Sequence, residues 1–191
     1  MSDGKYHDLE TRRLVLRRFI ESDAKPFWEY RTSPGAARYQ GERFSDCTQD
    51  EALEFVKEQM VAEPGVPDGW FQIAIEEKQT GRLIGDLGIH TLPEDQNQYE
   101  IGITINPRDQ NLGYGIEAIN SLLEYLFGER KGHRVIAITD VRNSPSIHLL
   151  EKAGMRKEGY FLQNAWSKGE YIDEFLFALL NEEWASQRSN S

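Results

Sequence analysis

Residues 99–127 read YEIGITINPRDQNLGYGIEAINSLLEYLF, and they predict a strand, a glycine-rich turn and a helix in direct succession. In the first part, bulky apolar residues alternate with small or polar ones, which is typical of a strand with one buried face. The apolar face carries Tyr99, Ile101, Ile103 and Ile105, and the opposite face carries Glu100, Gly102 and Thr104. Small residues beside a single carboxylate leave room for a ligand against this strand.

The turn that follows the strand is rich in glycine. Asn106-Pro107 ends the strand because proline cannot donate to the sheet, and residues 110–115 then read QNLGYG. Gly113 and Gly115 have no Cβ, so a ligand can come close to their main-chain amides. The same glycines would also serve a tight turn that binds nothing, and the turn alone does not decide between the two.

A helix is predicted directly after this turn. Apolar residues recur at helical spacing from Ile116 to Phe127, and Gly128 is placed to end the helix. Its first turn would present unpaired N–H groups and the positive end of the helix dipole, which suit a phosphate. No Gly-Lys-Ser/Thr follows as in a Walker loop, and Ala118 stands where a dinucleotide motif has its last glycine.

Composition limits the class of protein. The chain has 191 residues, 39% hydrophobic and 28% charged, which fits one domain with an ordered core at about 9–184. No apolar run nears the ~20 residues of a membrane helix, and residues 1–8 lack the apolar core of a signal peptide. With a single cysteine, Cys47, we expect a cytoplasmic protein without membrane partners.

Charge and histidine spacing exclude further classes. A net charge of −10 argues against nucleic acid as a partner and agrees with a cationic substrate. The four histidines lack the spacing of metal ligands, so no metal is expected.

The remaining strands flank this central unit. Residues 71–75 and 83–90 predict an antiparallel hairpin before it. Residues 135–141 predict a buried strand that is parallel to the central one and reached through a right-handed crossover. Residues 156–161 and 170–180 predict two final strands joined by a polar loop around Trp166.

Four motifs resemble the GNAT acetyltransferases. The turn Gln110-x-x-Gly113-x-Gly115 is similar to the pyrophosphate loop of that family, and residues 143–155, NSPSIHLLEKAGM, resemble its second signature. Residues 9–17, LETRRLVLR, and 180–184, LNEEW, are similar to the two ends of the RimJ/RimL-like branch, the ribosomal-protein N-terminal acetyltransferase type. The motifs occur in the family's order, and the resemblance extends over nearly the whole chain.

The resemblance implies a fold and a cofactor. The fold is the GNAT-type acyl-CoA N-acyltransferase fold of the α/β (α+β) class, in a single domain over residues 1–191. It has a mixed, mostly antiparallel sheet with a V-shaped split between two parallel central strands, here 98–105 and 135–141, and flanking helices. Acetyl-CoA would bind with its diphosphate at the turn and its pantetheine arm in the split. The implied cofactor-binding residues are Ile103, Thr104, Ile105, Gln110, Asn111, Leu112, Gly113, Tyr114, Gly115, Ile116, Asn143 and Ser146.

Acetyl transfer to an amine also needs acid–base groups. The amine arrives as an ammonium with a pKa of ~10, and the leaving thiolate must be met by a proton donor. Glu100 is the candidate base, through a water molecule, with Glu170 and Asp173 as alternatives. Ser146 is the candidate proton donor, because Leu150 occupies the position where many members have a tyrosine.

Each of these roles has a structural alternative. Glu100 could be an ion-paired or exposed strand residue, and Ser146 could hydrogen-bond locally within its helix. Asn143 could cap that helix without touching a ligand. The resemblance also assigns the shape of the acceptor pocket to residues 36–46.

The expected function is transfer of acetyl from acetyl-CoA to a primary amine, directly, in a ternary complex. The acceptor is either a protein N-terminal α-amine or a small-molecule amine, and the sequence does not decide between them. The alternatives are a non-catalytic module that binds and senses an acyl-CoA, and a nucleotide-binding domain. A homodimer is compatible with the sequence, but no feature specifies one.

Overall fold

A computed structural model describes residues 6–40 and 42–189, and within them eight strands form one mixed sheet. The strands are β1 Leu9–Glu10, β2 Leu14–Arg17, β3 Trp70–Glu77, β4 Arg82–Thr91, β5 Gln98–Ile105, β6 Arg134–Asp140, β7 Arg156–Ser167 and β8 Glu170–Leu180. Their order across the sheet is β1-β2-β3-β4-β5-β6-β8-β7. Every neighbouring pair is antiparallel except β5 and β6, which are parallel.

Helices cover both faces of the sheet. They are α1 Ala24–Arg31, α2 Pro34–Ala37, α3 Glu42–Ser45, α4 Gln49–Val61, α5 Tyr114–Leu123, α6 Ser144–Lys152 and α7 Asn181–Ser189. Successive residues of a strand point to opposite faces, and on β3 Ala74 and Ile75 belong to two different apolar clusters. The α5 helix covers the Ile75 face, whereas α1 and α4 cover the Ala74 face through Phe27 stacked on Phe55, with ring centroids 5.2 Å apart.

The parallel pair confirms the predicted split. Gln98–Glu100 pair with Arg134–Ile136, but β5 continues to Ile105 and β6 to Asp140 without further pairing between them. The two strands therefore diverge in the middle of the sheet. The β4–β5 register runs without a shift from Gly85 opposite Ile105 to Thr91 opposite Tyr99. Because no bulge interrupts it, Glu100 stays on the face of Gly102 and Thr104, as the alternation predicted.

Two local predictions were wrong. The helix does not stop at Gly128, because a π-helical turn over Glu124–Glu129 follows α5 and is closed by an i→i+5 bond from the Arg130 amide to the Tyr125 carbonyl, 3.0 Å. Trp166 lies in β7, which extends to Ser167, and not in a loop. The chain reverses instead at Lys168-Gly169, where both residues have positive φ.

Candidate active site

The split between β5 and β6 opens into a cavity of about 890 Å³. Its walls include Glu100, Gly102, Ile103 and Thr104 from β5 and residues 137–140 from β6. A Cβ added to Gly102 would meet no atom of the described chain within 4 Å, so this residue borders open space. The cavity therefore lies where the sheet lacks strand pairing.

The main chain of β5 faces this cavity at alternate residues. The Thr104 carbonyl points to β4, since it lies 2.3 Å from the position of a Cβ on Gly85. The Ile105 carbonyl points the other way and accepts a hydrogen bond from Gln110 Nε2, 2.9 Å. Main-chain directions alternate along a strand, so the N–H and C=O of Ile103 also face the split. Three residues, Ile103, Thr104 and Ile105, were predicted to hold a pantetheine arm. Thr104 faces β4 and the Ile105 carbonyl is occupied by Gln110, so Ile103 is the one whose main-chain groups can bond to a ligand in the cavity.

The glycine-rich turn leads into the N-terminus of α5. Gly113 occupies the N-cap position with φ of +80°, and as a glycine it has no side chain with which to cap the first N–H groups of the helix. The first N–H groups of a helix have no partner within it, so those that follow Gly113 can bind an anion. Arg13, the residue before β2, holds the turn in place. Its Nη1 donates to the Leu112 carbonyl, 2.9 Å, and its Nε pairs with Glu117, 2.7 Å.

Side chains of the turn serve the fold more than they face a ligand. Gln110 closes the turn onto Ile105, as described above, and the Tyr114 hydroxyl donates to Glu77, 2.7 Å. A Cβ on Gly115 would lie 3.2 Å from Leu149 Cδ2, so this glycine lets α5 approach α6. The turn therefore offers its main-chain amides to a ligand, and Gly115 also has a packing role.

Asn143 and Ser146 begin α6 at the cavity wall. Asn143 caps the helix, with its Oδ1 accepting from the Ser146 amide, 3.3 Å, and both residues line the cavity. The Ser146 hydroxyl makes no hydrogen bond to any residue that the structure describes, so the local bond considered from the sequence is not formed. Leu150, one turn later, is buried and contributes only apolar surface.

Glu100 lies on the β5 wall with its side chain 24% exposed. Burial raises the pKa of its carboxyl, and the nearby His90 partly opposes this shift. Glu174, on β8 across the cavity, also raises the Glu100 pKa because the two carboxylates repel each other. A raised pKa brings a carboxylate closer to the range in which it accepts a proton from an ammonium.

The two alternative acids are held by other groups. Glu170 pairs with Arg142, 2.7 Å, and Arg142 also pairs with Asp140, 2.7 Å. Asp173 accepts a hydrogen bond from the Tyr160 hydroxyl and another from the Gln163 amide, 2.8 Å. Among the three candidates, Glu100 is the one whose carboxylate is both at the cavity and without an arginine partner.

The predicted acceptor region lies across the cavity from the split. Its side-chain contributions come from Arg38, Tyr39, Gln40 and Phe44, although Gly41 and the side chains of Glu42 and Arg43 lie outside the described part of the chain. The Tyr39 hydroxyl donates to the Arg142 carbonyl, 3.0 Å, and Lys168 donates to the Ala37 carbonyl. These bonds join the α2 region to the segment between β6 and α6 and to the β7–β8 hairpin.

Sequence reasoning missed Trp70 and His90, which stand beside Glu100. The register places Trp70 opposite His90, and His90 opposite Glu100, so the three form a row across β3, β4 and β5. The predicted hairpin, 71–75 and 83–90, contained His90 but stopped one residue short of Trp70, and its register against the central strand was not assigned. Counting back from the Thr91–Tyr99 pair would have located it.

Within residues 6–40 and 42–189, no helix combines the length and apolarity needed to cross a bilayer. In the same ranges, no three side chains of His, Cys, Asp or Glu come together as a metal site.

Comparisons with known proteins agree with this geometry. Residues 13–156 match the acetyltransferase (GNAT) domain family. The chain is 33% identical over 176 residues to the uncharacterized N-acetyltransferase YnaD of Bacillus subtilis, covering 92% of this chain and 98% of that protein. The crystal structure of a GNAT-family acetyltransferase from Bacillus anthracis is 31% identical and superimposes with a TM-score of 0.81, over 92% of this chain and 99% of the other.

A further solved structure is similar in fold. The spermidine N-acetyltransferase of Vibrio cholerae, in complex with CoA and spermine, superimposes with a TM-score of 0.78 at 22% identity. The match covers 92% of this chain and 99% of that protein.

Proposed function

The chain belongs to the acetyltransferase (GNAT) family and is an acetyl-CoA-dependent N-acetyltransferase, and we propose that it transfers acetyl directly to a primary amine in a ternary complex. The observation that carries this proposal is the unpaired half of β5. Glu100 lies on one wall of the split, and Ser146 lies on the other with a free hydroxyl among the described residues. Both reactants would meet between these two groups.

The donor would be held by main-chain groups. We propose that the amides after Gly113 bind its diphosphate, where the helix dipole favours negative charge. The pantetheine arm, which contains peptide-like amides, would then run along β5 and bond to the N–H and C=O of Ile103 in the manner of an added strand. Asn143 would contact the arm with the amide nitrogen that its helix cap does not use.

The chemistry then proceeds in three proton-balanced steps. Glu100 takes a proton from the acceptor ammonium, directly or through water, and the neutral amine attacks the thioester carbonyl. The C–S bond breaks as the amide forms, and the developing thiolate accepts a hydrogen bond and then a proton from the Ser146 hydroxyl. The new amide nitrogen gives up its second proton, which restores Ser146 through solvent.

The acceptor is proposed as a cationic amine. Glu100 on β5 and Glu174 on β8 both line the cavity, and the chain has a net charge of −10. The Vibrio cholerae protein of similar fold is named for spermidine, a small cationic amine. The end motifs at 9–17 and 180–184 favour the RimJ/RimL-like branch and hence a protein N-terminal α-amine, so both kinds of acceptor belong in the test.

Cofactor binding is tested with an isosteric pair. Gly113→Asp and Gly113→Asn carry the same strain at φ +80°, which both residues tolerate, and differ in one negative charge. A Cβ at this position would lie 3.3 Å from Arg13 Nη2, so the Asp carboxylate would add negative charge at the N-terminus of α5 and pair with Arg13. We expect the Asp variant to bind acetyl-CoA about tenfold more weakly than the Asn variant by calorimetry. Equal affinities would refute the phosphate site.

The acceptor is tested by release of free thiol from acetyl-CoA. Spermidine, spermine and peptides with free N-termini are compared with the same compounds acetylated beforehand. Release only with free amines supports the proposal. Tight binding of acetyl-CoA with no release by any amine would support the acyl-CoA sensing module instead.

A further inference from the structure

Trp70, His90 and Glu100 form a row across three strands on the cavity side of the sheet. The Trp70 and His90 rings are stacked, with centroids 5.0 Å apart and an interplanar angle of 10°. His90 Nδ1 lies 3.5 Å from Glu100 Oε2. The His90 side chain is 15% exposed, so its ring is held between a tryptophan face and a carboxylate.

A second carboxylate meets the other nitrogen of the same ring. His90 Nε2 lies 3.1 Å from Asp68 Oδ1, at hydrogen-bond distance. Asp68 has φ of +58°, and its amide donates to the Thr91 carbonyl, 2.9 Å, which ties this loop residue to the end of β4. Its side chain is 76% exposed. The imidazole therefore stands between the cavity and a carboxylate in solvent.

The hydrogen bonds of the ring indicate its protonation. An ionised carboxylate only accepts, so the bond to Asp68 places the N–H on Nε2. In the neutral ring Nδ1 then carries a lone pair, and this atom is buried with no hydrogen-bond partner among the described residues. It faces the Glu100 carboxylate, which in its ionised form has no proton to offer. Protonation of Glu100 would supply the missing hydrogen between the two atoms.

We propose that His90, supported by Asp68, receives the proton that Glu100 removes from the acceptor. This inference rests on the proposed role of Glu100 as the base. The O–H bond of protonated Glu100 breaks and an Nδ1–H bond forms. The product is an imidazolium that lies between the Asp68 carboxylate and the ionised Glu100 carboxylate. Asp68 accepts the Nε2–H bond of that cation, 3.1 Å, and orients the ring from its exposed position. When the products leave, the Nδ1 proton passes to water that enters the cavity.

The charges around His90 fit this role. Asp68 faces it from the loop before β3, Glu100 from β5, and Trp70 covers its ring from β3. Glu174 acts on Glu100 from β8. Both titratable groups that contact the ring are acids, so an imidazolium here is met by negative charge. His90 is thus a positioning residue that accepts the proton from Glu100. Glu100 remains the group that contacts the substrate.

The test compares His90→Gln and Asp68→Asn with His7→Gln. His7 is a matched control because it also faces a carboxylate, Glu129 at 3.5 Å, but lies outside the cavity lining. We expect each of the first two variants to lower kcat about tenfold near neutral pH, with unchanged affinity for acetyl-CoA. The loss should shrink toward pH ~10, where the amine arrives without its proton. A merely structural defect would persist at that pH.

A second readout does not depend on activity. Nitrogen-15 spectra of the resting protein should show the Nε2-protonated tautomer of His90, and Asp68→Asn should weaken that preference. An Nδ1-protonated tautomer in the wild type would overturn the proposal. The proposal is also overturned if His90→Gln and Asp68→Asn both keep the wild-type pH profile while Glu100→Gln is impaired. In that case the proposed function still stands. If Glu100→Gln is itself unimpaired, the base assignment fails and this inference falls with it.

Discussion

Gly102→Val is expected to separate stability from acetyl transfer. Gly102 lies in an extended strand, and a Cβ there meets nothing within 4 Å. Replacing glycine in a strand reduces the entropy lost on folding by about 0.5–1 kcal/mol. For a chain of this size that corresponds to a rise in Tm of about 1–4 °C, so the variant should fold at least as well as the wild type.

Cofactor binding should fall in the same variant. The added methyl groups would occupy the space beside Ile103, where the pantetheine arm is proposed to form two main-chain hydrogen bonds. At about 1–1.5 kcal/mol each, their loss amounts to about 2–3 kcal/mol, or roughly a 30- to 150-fold increase in Kd. Calorimetry with acetyl-CoA measures this change, and thermal denaturation measures the stability.

Gly85→Ala is the matched control on the neighbouring strand. Its Cβ would lie 2.3 Å from the Thr104 carbonyl oxygen, so the backbone must shift and Tm should fall. The reasoning is refuted if Gly102→Val binds acetyl-CoA within about twofold of the wild type at unchanged Tm, since the arm would then not pass over this residue.

Three further variants test the site and its support. Ser146→Ala should lower kcat about 10²-fold with little change in the KM for acetyl-CoA, because only proton donation is lost; a wild-type kcat in steady-state assays would remove Ser146 from the mechanism. Glu100→Gln should abolish the rise in rate as pH increases through the raised Glu100 pKa. Protonated Glu100 contributes stability that is fully present below the pKa of the unfolded state and is lost as pH rises through the higher pKa of the folded state. Because Gln is neutral at every pH, Glu100→Gln should also raise Tm at neutral pH relative to the wild type. Asp86→Asn should destabilise the fold by about 3–5 kcal/mol, seen in urea unfolding, because buried Arg31 and Tyr30 both donate to Asp86; a loss below about 1 kcal/mol would contradict that account.

Short-range patterns in the sequence were enough to predict the centre of the fold. The alternation around Glu100 and the helical period after Ile116 each depend on residues that are close in the chain. Together they fix a strand, a crossover helix and a parallel strand, and the family resemblance adds the split. The Asn143 cap was predicted for the same reason, since its partner Ser146 is three residues away.

Contacts between distant residues could not be predicted in this way. Asp68 lies in a loop without any period, and its approach to His90 depends on how the loop packs at the end of β4. The length of β7 was underestimated because residues such as Tyr160 and Trp166 are exposed, so burial imposes no alternation there. Gln110 was assigned to the ligand, and only the three-dimensional turn shows its amide on the Ile105 carbonyl.

The short pairing of β5 with β6 also leaves part of each central strand without a strand partner on its inner edge. Within the described residues, the main-chain bonds between β5 and β6 lie at the start of the two strands, between Gln98–Glu100 and Arg134–Ile136, and the His133 amide just before β6 donates to the Asn97 carbonyl, 2.7 Å. A bound donor that hydrogen-bonds to β5 would supply the partner that this part of the strand lacks. Amide hydrogens of β5 that face β6 should therefore exchange with deuterium quickly in the free protein and slow down when acetyl-CoA is added.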